Sequence, residues 1–272
     1  MQVVDVNKLF FQELKQLAQK DLSQAHLRQH FTAAKMFANA GNYGAATTGT
    51  WSAGKPADTL YYSDNTVTGK KHWISGVALC DWVVVPAQSA TGPVVVVIEK
   101  SHLHIEPVPT LGMENTLTVH FTCDQAPATY LYQRNTPATD QIDYFNSLAF
   151  ITIQLGLGTS AFNDIDAYTK SIADFNYTKT KIKLDIEIFN LLWNYEIDRI
   201  AEPADWNRTK LVYSFGKKTI LGVANLVTEI TGSGLFQLDF PTHQRYKDLL
   251  IYTTHMRNFF TSTKDIGYWN FK

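Results

Sequence analysis

Three of the eight histidines, His102, His104 and His120, lie in the middle of the chain, where they could take part in metal chemistry. A His-x-His pair on a β-strand places both rings on one face, which is a geometry that can bind a metal ion. No carboxylate or cysteine at a matching spacing completes a ligand set. We therefore expect these histidines to be exposed to solvent and the protein to hold no metal.

Two glycine pairs could in principle contact a phosphate, at Gly156-Leu157-Gly158 and at Gly232-Ser233-Gly234. A phosphate-binding glycine motif follows a strand and opens a helix in a βαβ unit, and no strand leads into either pair. The sequence also contains no Gly-x-Ser-x-Gly, zinc-protease or P-loop motif. These classes of enzyme are therefore not indicated.

The charge balance narrows the classes of partner. The 272 residues contain 24 Lys and Arg and 25 Asp and Glu, which gives a net charge of −1. Nucleic-acid binding needs clustered positive charge, so we expect no nucleic-acid partner. The two cysteines, Cys80 and Cys123, are too few for a disulfide scaffold. The apolar runs are short and no secretory leader is visible, so we expect no membrane segment and a cytoplasmic location.

The elements that must position any site fall into three parts. Seven of the nine prolines lie between Pro56 and Pro137, in a stretch rich in Val, Thr and aromatic residues, which favours strands and turns. Within it, 81–87 and 93–99 are nearly continuous apolar runs, which predict strands covered on both faces. The segment 66–76 is predicted as strand, turn, strand.

Helical periodicity predicts two short helices before this stretch and four longer helices after it. We therefore predict an α+β multidomain protein. Residues 1–43 form residual N-terminal helices, 44–138 a β-barrel or sandwich domain, and 139–272 an antiparallel four-helix bundle.

Three short segments of the β-rich part resemble motifs of a known family. The segment 67–76, VTGKKHWISG, and the segment 80–87, CDWVVVPA, resemble the consecutive strands "G-x-K-x-W-I-[ST]" and "a-D-w-x-v-v-a" of the acyl-CoA dehydrogenase superfamily. The segment 110–116, TLGMENT, resembles that family's "LGM" segment. Each motif is short, and their shared order along the chain carries the resemblance, which covers roughly residues 31–270.

This resemblance implies a flavin, FMN or FAD, with Trp73 beside the isoalloxazine ring and Ser75 reaching its N5 edge. Thr47 and Thr48 would donate hydrogen bonds to the pyrimidine edge, and Arg245 and Lys247 could hold a flavin phosphate. The alternatives stay open: Trp73 as a core aromatic, Ser75 as a hydroxyl at a strand end, the threonines as turn residues, and the basic pair as solvated surface charge.

The C-terminal segment 244–268 resembles the flavin-dependent monooxygenase branch of the superfamily, the dibenzothiophene monooxygenase-like proteins. The resemblance implies that His255 is the catalytic acid or base, because histidine titrates near neutrality. The alternative is a histidine on the polar face of the last helix. No Glu-Gly-Thr occurs where a dehydrogenase would carry its catalytic glutamate, and Glu229 is the nearest other carboxylate.

Several departures from the family pattern weigh against a simple transfer of function. About forty residues stand where the family has a complete N-terminal helical domain, so we expect a truncated version of that domain. The family's "T-E-P-x-x-G-S" turn is replaced by the segment 46–51, ATTGTW, and the first histidine of the monooxygenase segment by Tyr252.

Three functions therefore remain. The first is a flavin-dependent oxidoreductase, monooxygenase-like, acting on a small-molecule substrate. The second is a catalytically silent or heteromeric subunit of the same fold, and the third is an acyl-CoA dehydrogenase. The resemblance also implies a homodimer or homotetramer formed through the C-terminal bundle, with a heteromeric partner as the alternative.

Overall fold

A computed structural model describes residues 8–44, 47–52, 58–134, 136–169, 176–232 and 243–257. Two helices come first, and they are α1 Lys8–Lys20 and α2 Leu22–Ala40. The strands are β1 Gly49–Trp51, β2 Tyr61–Ser63, β3 Thr66–Ile74, β4 Trp82–Ser89, β5 Gly92–Glu99, β6 His104–Pro107 and β7 Val119–Gln133. The later helices are α3 Pro137–Tyr168, α4 Asn176–Ile197, α5 Trp206–Thr231 and α6 His243–Arg257.

The two N-terminal helices confirm the prediction from periodicity. The chain turns between them at Asp21, whose carboxylate accepts a hydrogen bond from the Gln24 backbone N–H at 3.0 Å. This is an N-cap, which satisfies one of the free N–H groups at the start of α2.

Five strands of the sheet pair in a closed ring. The pairs run from β4 to β2, β3, β7 and β5 and then return to β4, with the β4–β2 contact parallel and the others antiparallel. β1 adds to β4 in parallel and β6 adds to β7 in antiparallel orientation. Closure leaves few free strand edges, which is the arrangement of a small barrel.

Strands β4 and β5 are covered on both faces, as their apolar runs predict. Val83 and Val85 belong to the core inside the ring, whereas Val84 between them belongs to the core shared with the helices. Strand β5 alternates in the same way. The barrel therefore presents one apolar outer surface to the helical part.

Strand β3 corrects the predicted strand–turn–strand. It is one strand from Thr66 to Ile74, and the Gly69-Lys70 step lies inside it. The glycine has φ of +137°, and the pairing with β7 shifts register beside it. A glycine that relieves an irregularity within a strand gives the same local sequence pattern as a turn.

The helices pack into one body around α3. This helix contacts α4, α5 and α6, and it also contacts α1 and α2. At Gly156 a side-chain Cβ would lie 2.5 Å from the Lys15 carbonyl oxygen, so glycine permits the close approach of α1 to α3.

One apolar core crosses all three predicted parts. It includes Phe11 of α1, Phe37 of α2, Trp51 and Trp82 of the barrel surface, and Trp193 of α4. A second core fills the barrel. The boundaries at residues 43 and 138 and the antiparallel bundle of four helices stay predictions.

Helix α3 is the single candidate for a membrane span among the described residues. Its segment Thr139–Tyr168 is long and apolar enough by length and composition, but 89% of its most apolar window is buried against other elements. Such burial is typical of a central helix in a globular core. The cytoplasmic location stays a prediction.

Candidate functional site

Trp73 lies in a β-bulge near the end of β3. Lys71 pairs with Phe121 of β7 and Ile74 pairs with Val119, so His72 and Trp73 together lie opposite the single residue His120. The Trp73 backbone has φ of +57°, a left-handed conformation that is rare for a bulky residue. Bulges of this kind redirect a side chain, and 47% of Trp73 is exposed.

His120 contacts Trp73 through its backbone and its ring. The Trp73 N–H donates to Nδ1 of His120 at 3.1 Å, and the two rings meet edge to face with centroids 5.2 Å apart. The prediction that His120 is exposed to solvent is wrong: its side chain is half-buried, because the bulge places the Trp73 indole against it. The side chain of His104 is 77% exposed, as predicted.

Ser75 lies at the end of a chain of hydroxyl groups. Thr116 donates to the Met113 carbonyl oxygen at 2.7 Å, and its Oγ1 lies 2.9 Å from that of Thr118. Because Thr116 has one hydroxyl proton, Thr118 must donate to it. Ser75 then donates to Thr118, at 3.3 Å. This link is the longest of the three, so the Ser75 hydroxyl is the one most easily turned to another acceptor.

Trp73 and Ser75 line the same cavity, which has a volume of about 180 Å³. Strand β3, the loop before β7, helix α2 and helix α6 supply its walls. Its lining residues are His26, Trp73, Ser75, Pro109, Thr110, Leu111, Gly112, Met113, Thr116, Thr118 and Ile251. The two principal flavin-site predictions from the sequence, Trp73 and Ser75, therefore come together in space.

His26 is a cavity residue that the sequence did not predict. This residue lies on α2, is 2% exposed and contributes to the cavity wall. Its ring centroid is 4.3 Å from that of His30, one turn later on the same helix. Nδ1 of His30 contacts the Trp51 carbonyl oxygen, which can only accept, so the proton of this bond lies on His30. The only available signal was a pair of histidines at i and i+4 beside apolar helix positions.

The loop before β7 is held by α6. The Asp248 carboxylate accepts from the Met113 N–H at 2.9 Å and from the Gln244 side chain at 3.1 Å. Burial raises the pKa of Asp248, while these two hydrogen bonds oppose the shift. A Cβ at Gly112 would lie 2.9 Å from Asp248 and from the Lys247 backbone, so this contact requires glycine.

Thr47 and Thr48 are not among the residues that line the cavity. Their carbonyl oxygens accept hydrogen bonds, Thr47 from the Trp82 indole at 3.3 Å and Thr48 from the Asp81 N–H at 2.8 Å. The nearby Thr50 instead reaches the site, since its buried hydroxyl donates to the Ser75 carbonyl oxygen at 2.8 Å. The proposed contacts of Thr47 and Thr48 with a flavin stay predictions.

His255 belongs to α6, but its side chain lies outside the described residues. Ile251, four residues earlier, lines the cavity, and residues four apart share one helix face. Arg245 pairs with Asp164 of α3 at 2.8 Å and donates to the Gln19 carbonyl oxygen at 2.8 Å. This arginine therefore ties α6 to α3 and α1.

Glu229 lies in a different part of the molecule from the Trp73 cavity. It lines a groove of about 730 Å³ between α4 and α5, together with Lys181 and Lys217. The geometry therefore gives no support to Glu229 as a catalytic base beside Trp73.

No protein-family model matches the sequence, and no curated protein matches it either. Solved structures do match the fold. The first example is glutaryl-CoA dehydrogenase from Mycobacterium smegmatis in complex with FADH2. Its TM-score is 0.77 at 14% identity, covering 91% of this chain and 75% of the other.

Two further structures are similar. Butyryl-CoA dehydrogenase from Megasphaera elsdenii has a TM-score of 0.75 at 13% identity, covering 91% of this chain and 77% of the other. XiaF from Streptomyces sp., in complex with FADH2 and glycerol, has a TM-score of 0.69 at 13% identity, covering 93% and 81%. The protein therefore has the fold of the acyl-CoA dehydrogenases.

Proposed function

We propose that this protein is a flavin-dependent oxidoreductase that binds the flavin ring beside Trp73 and Ser75 and acts on a small organic molecule. The observation that carries this proposal is the shared cavity, in which a half-exposed indole, a hydroxyl group and a buried histidine, His26, face the same space. The acyl-CoA dehydrogenase fold supports it, and two similar structures are complexes with FADH2.

The residues present fit such a group. The indole of Trp73 is a flat apolar surface on which an aromatic ring can stack and which keeps water from one side. Ser75 supplies a hydroxyl whose hydrogen bond to Thr118 is long enough, at 3.3 Å, to be exchanged for another acceptor. The FADH2 in similar structures favours FAD over FMN as the first form to test.

A bound flavin would supply electron transfer, and this chain would bind the ring, exclude water and move protons. His26 is the cavity histidine whose position the structure describes, so we assign it the proton transfer at the substrate. His255 remains a second candidate, one turn beyond the cavity residue Ile251.

Flavin titration tests the proposal directly. Calorimetry should show saturable binding of FAD to the purified protein. Trp73→Ala should weaken binding about tenfold, equivalent to about 1.4 kcal/mol, because the stacking surface is lost. Trp206→Phe, at a tryptophan beside Tyr144 and remote from the cavity, is the matched control.

The outcome also separates the alternatives. A well-folded protein that binds neither FAD nor FMN would overturn the proposal and favour the catalytically silent subunit. If FAD binds, oxidation of an acyl thioester under anaerobic conditions would favour a dehydrogenase. Consumption of oxygen by the reduced protein with an oxygenated product would favour a monooxygenase.

We also propose that the protein self-associates through the exposed face of α4, as a homodimer or homotetramer. Tyr177, Leu184 and Leu191 recur at seven-residue intervals on this face and are more than half exposed. A stripe of this spacing is the pattern by which two helices pack together. A heteromeric partner on the same face is the competing outcome.

A further inference from the structure

The hydrogen bond between the Trp73 backbone and His120 fixes the state of the imidazole. The backbone N–H can only donate, so Nδ1 of His120 must carry a lone pair. This ring nitrogen accepts only when it is unprotonated, which places the proton of the neutral ring on Nε2. A protonated His120 would direct an N–H at the Trp73 N–H and would break the bond.

We infer that His120 is a positioning residue for Trp73. Its Nδ1 accepts the hydrogen bond that stabilises the bulge, and the bulge places the indole on the cavity wall. This hydrogen bond is lost when Nδ1 is protonated. The inference uses the proposed flavin site only for its second experiment. Its first experiment concerns the bulge itself and needs no ligand.

The backbone conformation of Trp73 explains why the bulge needs a stabilising contact. A bulky residue with φ of +57° is strained and persists only when its surroundings determine it. His120 is the residue opposite the bulge on β7, and it supplies both the acceptor for the N–H and an edge-to-face contact with the indole. One side chain therefore secures both the backbone and the ring.

Charged and titratable groups face His120 from both neighbouring strands. They are Glu106 and His104 on β6, Lys70 and His72 on β3, and Asp58 beside His72. Glu106 is the register partner of His120 and favours the protonated ring. Lys70 and the Trp73 N–H favour the neutral ring. Because these influences oppose each other, the protonation state of His120 must be measured. The range to cover is pH 5 to 8, where histidines change charge.

The test uses protein labelled with ¹⁵N at tryptophan, in which Trp73→Phe assigns the Trp73 backbone amide signal. In the wild type, this signal should move through a single transition between pH 8 and 5. His120→Asn places an amide oxygen near the position of Nδ1, so the hydrogen bond should persist without a transition. His120→Ala should shift the signal at every pH, toward the position that the wild type reaches at low pH.

His72→Asn is the control for the neighbouring imidazole, whose centroid is 5.0 Å from that of His120. This variant should keep the wild-type transition. The inference is overturned if the transition persists in His120→Asn, or if the wild type shows none. His120→Asn decides the question even if His120→Ala fails to fold.

Flavin affinity is the second readout. Loss of one hydrogen bond should weaken FAD binding by the wild type about two- to tenfold between pH 8 and 5.5, and His120→Asn should reduce this dependence. An equal dependence in His120→Asn would contradict the role of His120 in the site. If no flavin binds at all, the proposed function fails, while the amide titration still decides whether His120 holds the bulge.

Discussion

Lys71 and Asp58 form a buried ion pair immediately before the bulge. The lysine side chain is fully buried, and Asp58 also accepts the His72 N–H at 3.0 Å. Removal of one partner leaves a buried charge without its counterion, which typically costs about 3–5 kcal/mol. We predict that Lys71→Met lowers the free energy of unfolding by that order, measured by urea denaturation.

The matched control for this prediction is Lys70→Met, because Lys70 is the adjacent residue on the other face of β3 and is only half-buried. It should change stability by less than about 1 kcal/mol. Equal effects of the two substitutions would show that the Lys71–Asp58 pair does not stabilise the strand.

Asp143 on α3 makes stability depend on pH. Burial raises the pKa of Asp143 to about 7, although Arg134 at 3.4 Å opposes the shift. In the unfolded state this aspartate has a pKa of about 3.9. Between about pH 4 and pH 7 the native state therefore keeps a proton that the unfolded state has lost. The free energy of unfolding should fall as pH rises from about 4 to 7 and then level off.

Asp143→Asn should remove this part of the pH dependence, because the amide does not titrate and can still accept from Arg134. Chemical denaturation at a series of pH values measures it. Asp124→Asn, at an exposed aspartate, should keep the wild-type slope. A slope that is unchanged in Asp143→Asn would show that another group titrates.

The sequence predicts the site residues that belong to one short motif and misses those that come from elsewhere. Trp73 near the end of β3 and Ser75 just after it lie two residues apart, and they reach one cavity. Thr118 is 43 residues from Ser75 and His26 comes from a helix. No local sequence pattern predicts that these residues come together, because closure of the barrel and packing of α2 against it place them side by side.

At the level of elements, the exposed face of α4 makes the clearest prediction. Leu184→Glu and Leu191→Glu together should reduce the proposed oligomer to a smaller species, because each places a charge in an apolar interface. Sedimentation velocity measures the change. Leu9→Glu, at an exposed leucine of α1, should leave the oligomeric state as it is. A wild-type monomer would contradict self-association through this face.

The elements themselves follow from periodicity to different extents. Helices α1, α2 and α4 and the two apolar strands are visible as patterns, because burial of a face imposes spacing on the sequence. The short strand β6 has no such pattern: its residues are exposed or half-buried, and it exists through pairing with β7. The bulge in β3 escapes prediction because its partner is on a strand about fifty residues later.

At the level of the whole molecule, the cavity depends on three separate parts. The barrel supplies Trp73 and Ser75, α2 supplies His26, and α6 supplies Ile251. One apolar core joins these parts, so their relative placement is set by packing. Substitutions at the contacts between these parts should therefore change the affinity for a ligand, even where the substituted residue has no functional side chain.

Gly112 provides the test of that dependence. A methyl group there would press on the backbone of Lys247 and on Asp248, both at 2.9 Å, and would separate the loop from α6. We predict that Gly112→Ala costs about 1–3 kcal/mol in stability and weakens FAD binding at least about tenfold, measured by thermal unfolding and calorimetry. Gly44→Ala, where nothing lies within 4 Å, should change neither. If the two variants bind FAD equally well, the contact between loop and helix does not shape the cavity, and the flavin must rest on the barrel alone.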